Sequence, residues 1–292
     1  MATRNIVPNN DGEGGIGTPL KKWLNGYFNT ITGSLQNTPA GNITSTTQQA
    51  VNNELDQRKY NNLIINSGFL VNNGNAGVPY VSGVALTAGQ YGHEGWKAGA
   101  SGCTYTFTQS GGAITGITIT AGSLIHPIES LNIIGGSYVL SWTGTATARL
   151  NSGSYGSSPL TVAGITVGTQ LNVEFGLGTL SKPKINEGLL ASPYYTEDVS
   201  YVIKKCQRYC NIEQIGVIGS AYTASAYIGS YIPFKATMRA VPTITVVSVV
   251  ENTNVSVMNY NFITTQGMRA HGTAATAGGC AFTAIYMIQA RL

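Results

Sequence analysis

Apolar and polar positions alternate in short stretches along most of this chain, and they fall into three-and-four spacing in only three places. From residue 62 onward, runs at 63–65, 104–107, 114–120, 138–142, 146–150 and 171–175 read as short strands separated by Gly, Ser and Asn clusters. Ile117-Thr118-Ile119-Thr120 and Tyr138-Val139-Leu140-Ser141-Trp142 alternate cleanly, which puts one face of each on a core. Strands at this spacing, with no helices between them, predict an antiparallel sandwich or jelly roll. A helical pattern follows: Asp198 is placed to cap a helix to about residue 210, with Val199, Val202, Ile203, Cys206 and Cys210 as its buried side. Further β runs are read at 222–228, 232–234, 243–250, 255–258 and 281–290.

The other two helical patterns lie before residue 62. Thr18 is a good N-cap and Pro19 occupies the first helical position, where its missing N–H costs nothing. Leu20, Trp23, Leu24, Tyr27, Phe28 and Ile31 then recur on one face. A helix of this length is marginal alone and needs a surface to dock on. Residues 33–47 read as a linker, and 48–58 as a short helix with Val51 and Leu55 on one side and Glu54 and Arg58 in an i, i+4 pair. No apolar run follows Arg4, so no signal peptide is expected. The predicted class is mainly β: a short helical N-terminal attachment segment over 1–61, an antiparallel jelly-roll sandwich over 62–196, and a second β domain with one leading helix over 197–292.

Composition narrows the function classes. Charged residues are 10% of the 292, against roughly 25% in an average soluble protein. The net charge of +4 is carried by scattered residues, with Lys204, Lys205 and Arg208 the tightest group, so nucleic acid is not an expected partner. No apolar run long enough to span a membrane occurs. The four cysteines do not form a disulfide framework for a chain this long, although two bridges are arithmetically open. Cys206 and Cys210 stand one helical turn apart, yet His is nearly absent around them; buried free thiols, suited to a reducing cytoplasm, are expected, with no metal and no cofactor.

No catalytic pattern stands out. After residue 61, Glu94, Glu129, Glu174, Glu187, Glu213 and Glu251 are isolated in sequence, and Glu197-Asp198 read as a helix start. Glycoside hydrolysis needs two carboxylates flanking one cleft. His93-Glu94 is the one adjacent acid–base pair, and it is expected to be a solvated loop contact. Binding is the better expectation, because sugars are held by aromatic faces, amides and hydroxyls and need few charges. There are 16 Tyr against 7 Phe. Tyr222, Tyr227 and Tyr231, in a Ser/Gly/Ala-rich stretch, are the first ligand-binding candidates. Tyr260, between Asn259 and Asn261, and the loop 151–155 come next; the competing role for these tyrosines is to line contacts between subunits.

Three stretches also carry resemblances. Asp11-Gly-Glu-Gly-Gly-Ile-Gly-Thr-Pro-Leu-Lys-Lys-Trp, with Tyr27 four residues after Trp23, resembles the start of many tailed-phage fibre proteins. Asn62-Leu-Ile-Ile-Asn-Ser-Gly-Phe69, the Gly92–Trp96 segment and the closing Glu187-Gly-Leu-Leu-Ala-Ser-Pro-Tyr194 resemble the carbohydrate-binding-module-like jelly roll of phage tail and fibre proteins. The opening departs from that pattern by one extra Ile. In that family the Trp is a packing residue, which implies that Trp96 is core or rim. Cys206-Gln-Arg-Tyr209, Met238–Ile244 and the apolar C-terminal strand resemble the domain that often follows the jelly roll. The resemblances imply a non-enzymatic phage fibre protein, homotrimeric and assembled into the virion in the bacterial host cytoplasm. Trp23, Tyr27 and Phe28 would attach it to other virion proteins, and the β domains would bind host surface glycan. A capsid-decorating fibre without a defined receptor and a secreted bacterial carbohydrate-binding module are the alternatives.

Overall fold

The computed structural model describes residues 62–292. The helical segments read at 18–31 and 48–58, and with them Trp23, Tyr27 and Phe28, lie outside the described residues. Seven strands come first: β1 (Lys97–Ser110), β2 (Ala113–Ile128), β3 (Gly136–Thr143), β4 (Ala148–Leu150), β5 (Leu160–Ile165), β6 (Leu171–Phe175) and β7 (Gly178–Glu187). One helix, α1 (Val199–Gln207), precedes β8 (Cys210–Ala221), β9 (Tyr227–Pro233), β10 (Thr243–Thr253), β11 (Val255–Asn261), β12 (Gly267–Ala274) and β13 (Gly278–Gln289). The chain is therefore mainly β, in antiparallel sheets arranged as sandwiches.

The first sheet runs β4-β6-β2-β7-β3-β5, with β1 also paired to β2. β2 divides its hydrogen bonds: residues 117–119 pair with β7 and residues 124–128 with β6. The division falls at Gly122, opposite Cys103, where the β1 register shifts. Gly122 has φ +68°, and a β-carbon there would lie 2.0 Å from the Gly102 carbonyl oxygen, so the bulge that bends this strand requires glycine. The alternating residues of β2 and β3 then meet in one core, where Ile117, Ile119, Tyr138 and Leu140 pack with Trp96, Tyr105 and Phe175. Trp96 is fully buried, as a packing residue.

The run at 63–65, expected as a strand, is part of a turn instead. The reason is local competition for backbone groups. Asn66, at φ 51°, accepts from the N–H groups of Leu70 and Val71 (2.7 and 3.0 Å) and donates to the carbonyls of Val71 and Glu94 (2.9 Å each). Asn62 ties this turn to β7, donating to the Pro183 carbonyl (3.1 Å) and accepting from the Ile185 N–H (3.2 Å). The Ser67 and Tyr194 hydroxyls meet at 3.1 Å. The opening and closing segments of this region are thus stitched together.

In the second region β13 is the middle strand of β10-β13-β8, and β12 the middle strand of β11-β12-β9. Phe282, Tyr286, Ile288, Met268 and Ala270 fill the space between the two sheets. Asp198 caps α1, accepting from the Ser200 and Tyr201 N–H groups (2.9 and 3.3 Å). The helix stops at Gln207, because the chain turns through Arg208 and Tyr209 into β8, whose first residue is Cys210. Of its expected buried side, Val202 and Cys206 are buried, while Val199 and Ile203 are exposed, so the helix packs through a single i, i+4 pair. The run read at 222–228 is a turn as far as residue 226, and the strand begins at Tyr227.

All four cysteines are free and buried. Burial pushes the Cys103 and Cys210 thiols up to about 12, so neither forms a thiolate at neutral pH. No helix among the described residues is long and apolar enough to cross a membrane.

Candidate functional site

Alternation along β9, β12 and β11 sorts their side chains onto two faces. Ile228, Ile232, Met268, Ala270 and Met258 turn inward to the core. The opposite face is a grid set by register. Tyr231 stands beside Arg269, and Arg269 beside Asn261; Gly229 stands beside His271, and His271 beside Asn259; Tyr227 stands beside Thr273, and Thr273 beside Val257. Tyr227 is 75% exposed and Tyr231 55% exposed. They are four residues apart on one strand, about 13 Å between α-carbons, with Gly229 between them.

Gly229 leaves the backbone bare between the two exposed rings, with His271 beside it as the floor. A β-carbon at Gly229 would come 2.8 Å from the His271 β-carbon, so any side chain there would push against the floor. At Gly267 a β-carbon would lie 2.3 Å from the Tyr231 hydroxyl oxygen, so the bare backbone at Gly267 gives the Tyr231 ring its place across the sheet. His271 is buried under the Tyr227 ring, edge to face at 5.8 Å. Burial and the neighbouring Arg269 charge hold its pKa below the usual value, so the floor is neutral at pH 7. The Arg269 Nε donates to the Asn261 Oδ1 (3.0 Å), and its guanidinium lies 4.9 Å from the centre of the exposed Phe262 ring. Aromatic faces, side-chain amides and a fixed guanidinium are the groups that hold a polar, ring-shaped ligand.

Tyr222 stands in the β8–β9 turn, 97% exposed. Tyr260, expected with the ligand-facing residues, falls on the inward face. Its hydroxyl donates to the Ile244 carbonyl (2.8 Å) and its ring packs edge-on against Tyr286. Its neighbours Asn259 and Asn261 do face outward, one residue to either side. Arg269 and His271 were missed because 267–274 lacks a β-branched run, although Arg269, His271 and Thr273 alternate with Met268, Ala270 and Gly272 as a two-faced strand requires.

The second-rank loop 151–155 belongs to a saturated cluster. Glu174 accepts from the Ser123 hydroxyl (2.6 Å), the Tyr155 hydroxyl (2.9 Å) and Arg149 Nε (2.8 Å). Burial raises the Glu174 pKa, but these donors outweigh it and hold the carboxyl below its usual range. His93 and Glu94, expected at a solvated loop, are both fully buried, and they serve different partners. The His93 ring sits among Phe69, Tyr80 and Phe107, with its Nδ1 2.9 Å from the Tyr105 hydroxyl. Glu94 pairs with Arg291 at 2.7 Å, a contact that joins the two regions across 197 positions. Glu129 joins them again, accepting from Arg208 (3.0 Å) and the Tyr209 hydroxyl (2.9 Å).

The hollow between these two ion pairs has a volume of about 20 Å³, room for about one water. A larger groove, about 290 Å³, lies between α1 and the opening turn, lined by Phe69, Leu70, Ile114, Tyr194, Val199 and Val202. Among the described residues no group of three or more His, Cys, Asp and Glu could hold a metal ion.

No protein-family model matches this chain. No curated protein matches it either. Among solved structures, recombinant discoidin II of Dictyostelium discoideum is similar over 64% of this chain and 82% of that one, at 10% identity and a TM-score of 0.21. A likeness that loose fixes neither topology nor function.

Proposed function

We propose that this chain is a non-enzymatic virion protein of the tailed-phage fibre type, and that it binds host-cell glycan through the outward face of β9, β12 and β11. The observation that carries the glycan reading is the pair of exposed rings, Tyr227 and Tyr231, flanking Gly229 beside two outward amides. Such a surface binds by stacking and hydrogen bonding without reacting. Glu94, Glu129 and Glu174 are each engaged by an arginine, and the hollow that Glu94 and Glu129 both line has room for about one water rather than a sugar ring. In this reading residues 1–61 attach the chain to other virion proteins through Trp23, Tyr27 and Phe28. The 62–196 unit is a rigid arm, the 197–292 unit meets the host, and the protein is a homotrimer assembled in the host cytoplasm.

A second reading keeps the virion role and turns the same face toward another subunit. It is favoured by Val257 and Phe262, which are 54% and 69% exposed at the margin of that face. Two measurements separate them. The full chain is tested on an immobilised glycan panel beside Tyr227→Ala and Tyr231→Ala, and its solution mass is compared by light scattering with that of a chain starting at Asn62. Glycan binding that both substitutions abolish, with the trimer intact, supports the first reading. A trimer that either substitution dissociates, with no glycan bound by the parent chain, overturns it in favour of the second.

A further inference from the structure

Arg269 stands apart from the other described arginines. Arg149, Arg208 and Arg291 each hold a glutamate, and Arg239 donates to the Ala290 and Arg291 carbonyls. Arg269 has no carboxylate partner among the described residues. Its Nε is held by Asn261 and its plane rests near Phe262, while no described residue accepts from its Nη1 or Nη2. β9, β11 and β12 contain no Asp or Glu, and none occurs from residue 252 to residue 292. The nearest acids along the chain, Glu213 and Glu251, lie on the other sheet, where they face Lys235 and Thr283. Among the described residues, the outward face of β9, β12 and β11 therefore carries one fixed positive charge, beside Tyr231, and no negative one.

A guanidinium held by one nitrogen and one ring, with its outer edge unspent, is preorganised for a two-pronged contact with an oxyanion. Tyr231 is its cross-strand neighbour, so a sugar ring stacked on Tyr231 brings its substituents to that edge. We propose that the ligand of this face is an anionic sugar, whose carboxylate or phosphate is bound by Arg269 while its ring stacks on Tyr231 or Tyr227. The proposal rests on the glycan reading of this face and adds the charge class of the sugar. The binding is non-covalent and needs no cofactor.

The test uses matched probes on the full chain by titration calorimetry. Tetragalacturonate is compared with its carboxyl-reduced form, sialyllactose with lactose, and mannose 6-phosphate with mannose. At least one anionic member should bind roughly tenfold or more tighter than its neutral match, and raising the salt to about 1 M should narrow the gap. The carboxylate pairs and the phosphate pair tell the two oxyanions apart. Arg269→Gln should remove the preference while leaving the melting temperature unchanged, and Arg269→Lys should recover only part of it. The probe comparison needs no variant, so a misfolded substitution leaves the test standing. Equal binding within every pair, still dependent on Tyr227 and Tyr231, overturns the charge assignment and leaves the glycan reading intact. No binding by any probe to the folded chain overturns both.

Discussion

Both β regions bury tyrosines, but only the second sets two exposed rings, Tyr227 and Tyr231, along one strand. In the first, Tyr80, Tyr91, Tyr105 and Tyr138 are buried and their hydroxyls are spent internally. Tyr80 donates to the Val84 and Tyr105 carbonyls (2.7 and 2.8 Å), and Tyr91 to the Leu292 carbonyl. The Tyr105 hydroxyl accepts from the His93 N–H (3.1 Å), and that of Tyr138 from the Ile134 N–H (3.2 Å). In the second region Tyr222, Tyr227 and Tyr231 expose their rings. An excess of tyrosine therefore has two meanings in one chain. Where a buried backbone group needs a partner at ring length, the residue is structural; where it stands on the outward face of a strand, the ring is free to meet a ligand.

The contrast can be broken most drastically through β13, the central strand of its sheet. Removing residues 283–292 should leave most of β10 and more than half of β8 without their partner, and the second core without Ala284, Tyr286 and Ile288. Loss of the cooperative transition of that region is expected on calorimetry; a truncated chain that stays soluble and melts cooperatively would contradict it. The same deletion takes away Arg291, so the point substitution separates the two effects. Arg291→Met leaves Glu94 buried and unpaired, which should cost about 3–5 kcal/mol in denaturant titration. Adding Glu94→Gln should recover part of that loss, and a double variant no better than the single one would clear the ion pair of responsibility.

Acid should distinguish the regions next. Burial lowers His93 and His126, both in the first region, to about 4. An unfolded histidine titrates near 6.5, so between about 6.5 and 4 the unfolded chain takes up protons that the folded one refuses. Stability is then full above pH 6.5 and falls as pH drops through that window, by roughly 3 kcal/mol per histidine at its lower end. His271 is lowered in the second region too. The first region should lose its near-ultraviolet signal at the higher pH; the reverse order would contradict the assignment. The smallest effect sharpens the comparison most directly. Tyr105→Phe leaves the His93 N–H and Nδ1 without their partner and should cost about 1–3 kcal/mol, whereas Tyr231→Phe should change stability by less than about 0.5 kcal/mol. Equal losses in paired melts would erase the distinction.

The candidate site was half legible before the fold was known. Tyr227 and Tyr231 stand out because a Ser/Gly/Ala-rich setting leaves tyrosine little apolar company, and the second region does expose them. Tyr260 has the same polar surroundings in sequence but falls on the inward face, since its facing is set by the register of β11 against β12. A one-residue change of register would exchange the two faces, and no local signal reports it. Arg269 and His271 needed β12 to be recognised as a strand.

What the sequence determined by itself was local. It specified the mainly β class, the alternating strands of β2 and β3, and the Asp198 cap, because each depends on groups within a few residues of one another. The tertiary structure alone decided that Asn62 would tie the opening turn to β7, that Glu94 would meet Arg291, and that Arg269 would keep its outer edge unspent. Those outcomes rest on contacts between separate elements of the fold. A charge or a ring acquires its role from what the fold brings beside it, and pairing across 197 positions leaves no trace in either neighbourhood.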